Sequence, residues 1–270
     1  MRVGPYELAV ATEFGPRITT LRREGSSDFF AHLNEDVILQ HSAAQVYRLR
    51  GGHRLWAAPE IPAVTYSPDD HECQVTEAED SVHIAAPVDA AGLEKSITVS
   101  LDRERLLVDH HLTNVSHELL EVAPWAITQL QLGGRAELPL RRVRNGDDLQ
   151  ADRSLVLWPY TDLADSRLSF ASDRVRVVGE AGPALKVGSG PDPGTLSYSL
   201  DGYLFTKTPE LTAVGPFADR GAVGQVFVKD AFLELETLGP IAQLEPGQSV
   251  DHREIWEIVL GAADVGFAGL

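Results

Sequence analysis

AFLELETLGP, residues 231–240, is the stretch from which the fold is read most directly. In it Leu233 and Leu235 alternate with Glu234 and Glu236, and alternation with a period of two is typical of a half-buried strand. Because successive side chains of a strand point to opposite faces, we expect the leucines to enter a core and both glutamates to share the other face. Those glutamates are either solvated surface carboxylates or part of a pocket wall that accepts hydroxyl protons.

Strand-like periodicity continues on both sides of this stretch. Residues 97–101 alternate Ile, Val and Leu with Thr and Ser, and Asp201-Gly202 between two apolar runs is typical of a two-residue hairpin turn. No segment longer than about ten residues carries a sustained helical stripe, and neither a fixed-period repeat nor a linker composition divides the chain. We therefore predict one all-β domain over residues 1–270, folded as a large antiparallel β-sandwich.

The charge of the chain limits its partners. Its 270 residues include 40 Asp and Glu against 23 Lys and Arg, which gives a formal net charge of −17. Nucleic acid is a poor partner for such a chain, because phosphate binding requires clustered Lys and Arg. The same excess of acid disfavours adhesion to an anionic membrane surface. No apolar run is long enough for a signal peptide or a membrane span, so we expect a cytoplasmic protein.

Cysteine and histidine usage limits the chemistry. Cys73 is the only cysteine, so neither an intramolecular disulfide nor a cysteine-ligated zinc site can form. His71, His83 and His117 have no metal-ligand spacing. We therefore predict no metal site.

Three segments, in this order, carry a resemblance to a known superfamily. They are EFGPRITTL at residues 13–21, LTNVSHELLEVAPWAITQL at residues 112–130 and FLELETLGPIAQLEPGQSVDHREIWEI at residues 232–258. Together they resemble the galactose mutarotase-like superfamily, to which the aldose 1-epimerases belong. LRGGHRLWAAPE, residues 49–60, is similar to the Arg-Gly-Gly loop of related sugar-phosphate epimerases. It is even more similar to one branch of the superfamily in which GGHRLW recurs.

The resemblance implies a twisted two-layer sandwich whose concave face holds a small-molecule sugar. In enzymes of the superfamily a glutamate of a late strand takes the proton of the anomeric hydroxyl, and a histidine of a middle strand protonates the ring oxygen, without a cofactor. Glu236 occupies the place of that glutamate. Glu234 on the same face could hold a neighbouring hydroxyl, or raise the pKa of Glu236 through like-charge proximity.

The expected histidine is missing from this chain. It should fall within APWAITQL, residues 123–130, where Trp125 and Ala126 stand instead. We therefore predict His53 of the glycine loop as the acid that acts with Glu236.

Further residues are predicted to hold the sugar. Arg50 and Arg54 could direct paired guanidinium donors at sugar hydroxyls or a sugar phosphate, or could pair with acidic neighbours. Trp56 and Trp125 offer flat apolar faces suited to stacking under a sugar ring, with core packing as the alternative. Lys207 could face the concavity or the surface.

Three functions remain open at this point. The first is an isomerase similar to the aldose 1-epimerases, and the second is a non-catalytic carbohydrate-binding protein, which the missing histidine favours. The third is a lyase- or hydrolase-related sandwich acting on an oligosaccharide, which needs a second acid across the scissile bond from Glu236.

Overall fold

Alternating apolar and polar residues form strands along almost all of the described chain. A computed structural model describes residues 1–42, 45–140, 151–211 and 215–261. Within these described ranges, helix is confined to a four-residue segment, α1 (Pro62–Thr65), and a 3-10 turn at Asp219–Gly221. The strands of the described chain are, in order, β1 (Arg2–Val3), β2 (Tyr6–Val10), β3 (Arg17–Arg23), β4 (Ile38–Ser42), β5 (Gln45–Arg48), β6 (Gly52–Ala58), β7 (Gln74–Ala78), β8 (Ser81–Ala85), β9 (Leu93–Asp102), β10 (Arg105–Asn114), β11 (Leu120–Leu130), β12 (Arg135–Pro139), β13 (Ser154–Leu157), β14 (Leu168–Phe170), β15 (Arg174–Val178), β16 (Leu185–Gly190), β17 (Leu196–Leu200), β18 (Tyr203–Glu210), β19 (Gly224–Lys229), β20 (Phe232–Leu238), β21 (Ala242–Leu244) and β22 (Ser249–Leu260).

These strands form two large antiparallel sheets and one small one. The first sheet runs β1-β2-β3-β6-β11-β20-β19-β16-β13, with β21 paired to β11. The second runs β14-β15-β12-β17-β18-β22-β10-β9-β8-β7, and β4 and β5 form a separate hairpin. The prediction of a large all-β antiparallel sandwich is confirmed. That residues 1–270 form one domain stays a prediction.

The main core lies between the two large sheets. The first sheet contributes Leu55, Leu233 and Leu235, which pack in one cluster with Val108 and Trp256 of the second sheet. Burying each such side chain contributes about 1.5–3 kcal/mol. Leu233 and Leu235 therefore point inward, as their alternation predicted.

A second, smaller core covers the opposite face of the first sheet. Trp56 of β6, Trp125 and Ile127 of β11 and Phe232 of β20 belong to it, together with Tyr47 of the β4–β5 hairpin. Every residue of β6 and β20 is buried, because these central strands are covered on both faces.

Two glycines set the start of β6. Gly51 and Gly52 have φ values of +83° and +72°, in the left-handed region that favours glycine. A Cβ atom at either position would also clash with a backbone carbonyl oxygen, that of Ala31 or of Ile18. The glycine pair thus lets the chain enter the middle of the sheet in close backbone contact. In the part of the chain that the structure describes, no helix is long and apolar enough to cross a membrane.

Candidate functional site

A cavity of about 440 Å³ opens on the face of the first sheet that carries Trp56 and Trp125. Its volume is within the range of about 300–1,000 Å³ that is usual for small-molecule sites. Strands β6, β11, β16, β19 and β20 supply its floor, and the β4–β5 hairpin and residues beside it supply a side wall. Its polar lining residues include Arg54, Lys186 and Glu234.

Glu234 is held at the floor of this cavity by two donors. Arg54 Nη2 donates to Glu234 Oε1 at 3.0 Å, and Gln129 Nε2 donates to the same oxygen at 2.9 Å. The guanidinium carbon of Arg54 also lies 4.2 Å from the centre of the Trp56 ring, which is a cation–π contact. These contacts hold the carboxylate of Glu234 and the guanidinium of Arg54 in place at the floor.

Glu236 lies next to Glu234 on the same face and is completely buried. Trp125 Nε1 and Lys186 Nζ both donate to Glu236 Oε2, each at 2.8 Å. Burial raises the pKa of Glu236 to about 7 against the opposing charge of Lys186, and the charge of Glu234 raises it further. Glu236 can therefore exchange a proton near neutral pH.

Several buried polar atoms on this face have no hydrogen-bond partner among the described residues. They are Nε and Nη1 of Arg54, Nε1 of Trp56, Oε1 of Gln129, Oε1 of Gln225 and Oε1 of Glu236. Gln225 is on this face because it is the register partner of Glu236 on β19. Buried polar groups are nearly always paired, and an unpaired one costs about 1–3 kcal/mol. Of these residues Arg54 and Trp56 line the cavity, and the other three lie on the same face of the sheet. The unpaired donors of Arg54 and Trp56 could be satisfied by hydroxyls of a ligand.

Aromatic rings surround these polar groups. The ring centroids of Trp56 and Trp125 are 5.5 Å apart, and those of Trp56 and Tyr66 are 5.3 Å apart. Lys186 Nζ lies 4.8 Å from the centroid of Trp125 and 4.6 Å from that of Trp158. The cavity therefore combines flat apolar surfaces with fixed polar atoms.

The structure brings five of the predicted site residues together on this face: Arg54, Trp56, Trp125, Glu234 and Glu236. We call these residues, with Gln129 and Lys186, the pocket-face cluster. Their roles toward a ligand stay predictions.

The prediction that His53 and Lys207 share this face is wrong. His53 is the neighbour of Arg54 on β6, so it points to the opposite side of the sheet. There it is fully buried and contacts His110 of the second sheet, with 2.7 Å between the two Nε2 atoms. Lys207 comes from the second sheet, and its Nζ donates to the carbonyl oxygens of Ala126 and Leu235 from the interior side. His53 therefore cannot act with Glu236.

These two residues belong to a polar group between the sheets, which we call the interior cluster: His53, His110, Thr128, Lys207 and Glu254. Lys207 Nζ lies 3.0 Å from Glu254 Oε1, and Trp256 Nε1 donates to Glu254 Oε2 at 2.9 Å. Burial would raise the pKa of Glu254, but the Lys207 charge holds it well below its usual range. Burial, reinforced by the Lys207 charge, lowers the pKa of His53 well below its ordinary value.

One assignment of hydrogens satisfies this cluster. Lys207 donates to Thr128 Oγ1, and the Thr128 hydroxyl then donates to His53 Nδ1. His53 in turn donates from Nε2 to His110, and His110 donates from Nδ1 to the carbonyl oxygen of His252. Both histidines are neutral in this chain of hydrogen bonds.

The ligand atoms of His53, His110 and Glu254 lie within 4.8 Å of one another, which is the spacing of a metal site. The histidine nitrogens are already joined by their own hydrogen bond, and the Lys207 ammonium contacts Glu254. A metal ion would have to break these contacts and would face the lysine charge. The donor set therefore does not fit a resident metal ion.

Arg50 is also outside the cavity, which corrects its prediction as a sugar ligand. Its guanidinium pairs with Glu35 at 2.8 Å, with Asp70 at 2.5 Å and with Asp69 at 3.4 Å. It also lies 4.2 Å from the centre of the Phe14 ring. The alternative interpretation, an ion pair with acidic neighbours, describes this arginine.

Sequence reasoning missed Lys186 and Gln129. Lys186 lies in an apolar strand and pairs with Glu236 only because β16 and β20 both flank β19. Gln129 follows Trp125 by four positions on β11, so strand alternation already placed it on the same face.

No model of a protein family matches the chain, and a search of the curated proteins also found no match. Solved structures match over nearly the whole length. A galactose mutarotase-like protein from Lactobacillus casei has a TM-score of 0.55 at 10% identity, covering 96% of this chain and 99% of its own. One from Clostridium acetobutylicum has a TM-score of 0.51 at 9% identity, covering 96% and 94%.

An Escherichia coli K12 protein assigned provisionally as an aldose 1-epimerase has a TM-score of 0.54 at 14% identity, covering 96% of this chain and 98% of its own. Identities this low show the fold alone, and membership of the GGHRLW branch stays a prediction. The resemblance read from three short segments is thereby confirmed at the level of structure: the chain has the galactose mutarotase-like fold.

Proposed function

We propose that the protein binds a sugar in the cavity over β6, β11 and β20 and interconverts its anomers, with Glu236 as base and Lys186 as acid. The observation that carries this proposal is the state of Glu236. It is buried beside the cavity, two donors hold Oε2, and Oε1 has no partner among the described residues. A pKa of about 7 is suited to general acid–base catalysis near neutral pH.

The reaction needs only proton transfers. Glu236 takes the proton of the anomeric hydroxyl while Lys186 gives a proton to the ring oxygen, and the bond between that oxygen and C1 breaks. The product is the open-chain aldehyde. After rotation about the C1–C2 bond, the reverse transfers close the ring as the other anomer and restore both side chains. Lys186 thus takes the place of the histidine that the sequence lacks.

The remaining residues of the pocket-face cluster hold the sugar in this scheme. Arg54, Gln129 and Trp56 offer their unpaired polar atoms to hydroxyls, and the Trp125 ring offers a stacking surface. Glu234 accepts from a further hydroxyl. The Lactobacillus and Clostridium proteins of similar fold are described as galactose mutarotase-like, which supports a sugar as the ligand.

A non-catalytic sugar-binding protein is the second candidate, and one observation favours it. The Glu236 side chain is fully buried, whereas Arg54, Lys186 and Glu234 line the cavity. If the anomeric hydroxyl of a bound sugar does not reach Glu236, the protein binds the sugar without interconverting its anomers. Cleavage of an oligosaccharide stays a prediction without a specific observation in its favour.

The test is the rate of anomer exchange measured by NMR with a panel of aldoses. We expect the wild-type protein to exceed the buffer rate on at least one sugar. Glu236→Gln and Lys186→Met should each lower kcat/KM by about 10²–10⁴-fold, the usual contribution of an acid or base. Glu77→Gln, a matched change on the exposed strand β7, should leave the rate unchanged.

Melting temperatures and calorimetry complete this experiment. If Glu236→Gln unfolds because Lys186 is left unpaired, Glu236→Gln/Lys186→Met removes both charges together. A wild-type rate equal to that of buffer on every sugar would falsify the isomerase. Sugar binding detected by calorimetry in that case would leave the second candidate, and no binding would exclude both.

A further inference from the structure

We propose that the sugar of this cavity is uncharged and carries an apolar edge, as a deoxy sugar does. This inference rests on the proposed sugar-binding function and specifies its substrate class. Two independent features of the cavity carry it: the pairing of its charged groups and the composition of its side wall.

The cations that line the described cavity already have carboxylate partners. Arg54 pairs with Glu234 at 3.0 Å, Lys186 with Glu236 at 2.8 Å, and the exposed Lys229 lies 3.8 Å from Asp230. Glu60 adds a further carboxyl to the lining.

The described lining and floor thus hold four carboxyls against three cations. A phosphate monoester carries about −1.5 to −2 charges at neutral pH. It would have to compete with Glu234 and Glu236 for Arg54 and Lys186, and the remaining cation, Lys229, is exposed at the rim. A neutral hydroxyl can use the remaining donors of Arg54 and Trp56 without that competition.

The side wall of the cavity consists of aliphatic side chains. Val37, Ile38, Leu39 and Leu49 line the cavity from the β4–β5 hairpin and the residues beside it. Their side chains have no hydrogen-bonding atom, whereas the unpaired polar atoms lie on the floor formed by β6, β11, β19 and β20.

A hydroxyl pressed against this wall loses its water and gains no partner. A hydrogen or methyl group in its place contributes favourably to the binding free energy when it is buried. The side wall is therefore apolar throughout, whereas the floor combines polar atoms with apolar side chains such as Phe227 and Phe232. A ligand that matches the wall has an apolar edge.

Calorimetry with matched sugars tests the inference. One series is D-galactose, its 2-, 3-, 4- and 6-deoxy forms and D-galactose 6-phosphate, and the D-glucose series repeats it. We expect at least one deoxy sugar to bind about tenfold more tightly than its parent, a ratio usual for one misplaced group in a pocket. Neither 6-phosphate should bind more tightly than its parent.

The outcomes separate this inference from the proposed function. If the parent hexoses bind as tightly as every deoxy form, or a 6-phosphate binds more tightly than its parent, the inference is wrong and sugar binding stands. If no member of either series binds, the proposed function fails with it.

A pair of variants locates the apolar edge. Ile38→Ser places a hydroxyl on the side wall and should reduce the deoxy-to-parent affinity ratio to within about twofold, which is a change of about 1 kcal/mol. Leu163→Ser makes the same kind of change at an exposed leucine outside the cavity lining and should leave the ratio as in wild type. A ratio unaffected by Ile38→Ser overturns the assignment of the deoxy edge to this wall.

Discussion

Strands β6 and β11 contribute polar side chains to a cluster on each of their two faces, and the two clusters differ in how completely their hydrogen bonds are made. In the interior cluster, His53, Thr128 and Lys207 form a chain of bonds that ends on a backbone carbonyl. In the pocket-face cluster, Arg54, Gln129 and Glu236 keep unpaired buried atoms. Neighbouring positions of the same strands therefore serve different purposes.

The difference separates a polar group whose hydrogen bonds are complete from one that we propose binds a ligand. A buried network with every member paired fixes the arrangement of the sheets and leaves no atom for a further partner. Unpaired atoms beside a cavity cost stability in the free protein, and a ligand that pairs them recovers that cost. The polar side chains on both faces are buried. The two faces therefore differ in the completeness of their hydrogen bonds and not in burial.

The largest expected effect concerns the lysine of each cluster. Lys207→Met leaves Glu254 charged and buried without its partner, and breaking a buried pair in this way costs about 3–5 kcal/mol of the free energy of unfolding. Lys186→Met should cost less, because Glu236 has a pKa of about 7 and can take a proton instead. Urea unfolding at pH 7 measures both. Equal losses, or a larger loss for Lys186→Met, would contradict the comparison.

The pH dependence of stability gives the next effect. Burial lowers the pKa of His110 to about 4, against about 6.5 in an unfolded chain. Between these values the unfolded state binds more protons, so the free energy of unfolding rises with pH from about 4 to 6.5. For His110 alone the total is about 3 kcal/mol.

His110→Gln should flatten this rise. Urea titrations of wild type and variant at half-unit steps from pH 4 to 7 measure the slope, and the comparison is independent of any constant loss of stability in the variant. Parallel curves for the two proteins would show that folding does not lower the pKa of His110.

The same two faces show what sequence can and cannot predict. Alternation placed Leu233 and Leu235 in the core and Glu234 and Glu236 together outside it, because a strand with apolar residues at every second position has an unambiguous orientation. In β6 the polar residues His53 and Arg54 are adjacent and all seven residues are buried. The sequence of β6 therefore has no apolar alternation that would show whether His53 or Arg54 points toward the cavity.

Strand geometry nevertheless excluded the predicted site. His53 and Arg54 are consecutive on one strand, so they could not both contact one ligand on one face. Lys186 was missed for a different reason. Its contact with Glu236 depends on the order β16-β19-β20 in the sheet, which is a long-range pairing that strand periodicity does not contain.

The smallest expected effect has the opposite sign to that of His110. The pKa of Glu236 is raised to about 7, against about 4.3 in an unfolded chain, so the folded state binds more protons between these values. Its contribution to stability is present at low pH and is lost as pH rises through about 7.

Between pH 6.5 and 8 the free energy of unfolding falls by about 0.8 kcal/mol through this group. Glu236→Gln has no proton to lose, so over this range the stability of wild type should fall by that amount relative to the variant. Paired urea titrations at pH 6.5 and 8, with Glu77→Gln as the exposed control, measure the difference. A constant gap between wild type and Glu236→Gln would mean that Glu236 is already ionised at pH 6.5, and the carboxyl would then lack the pKa on which its proposed role as a base depends.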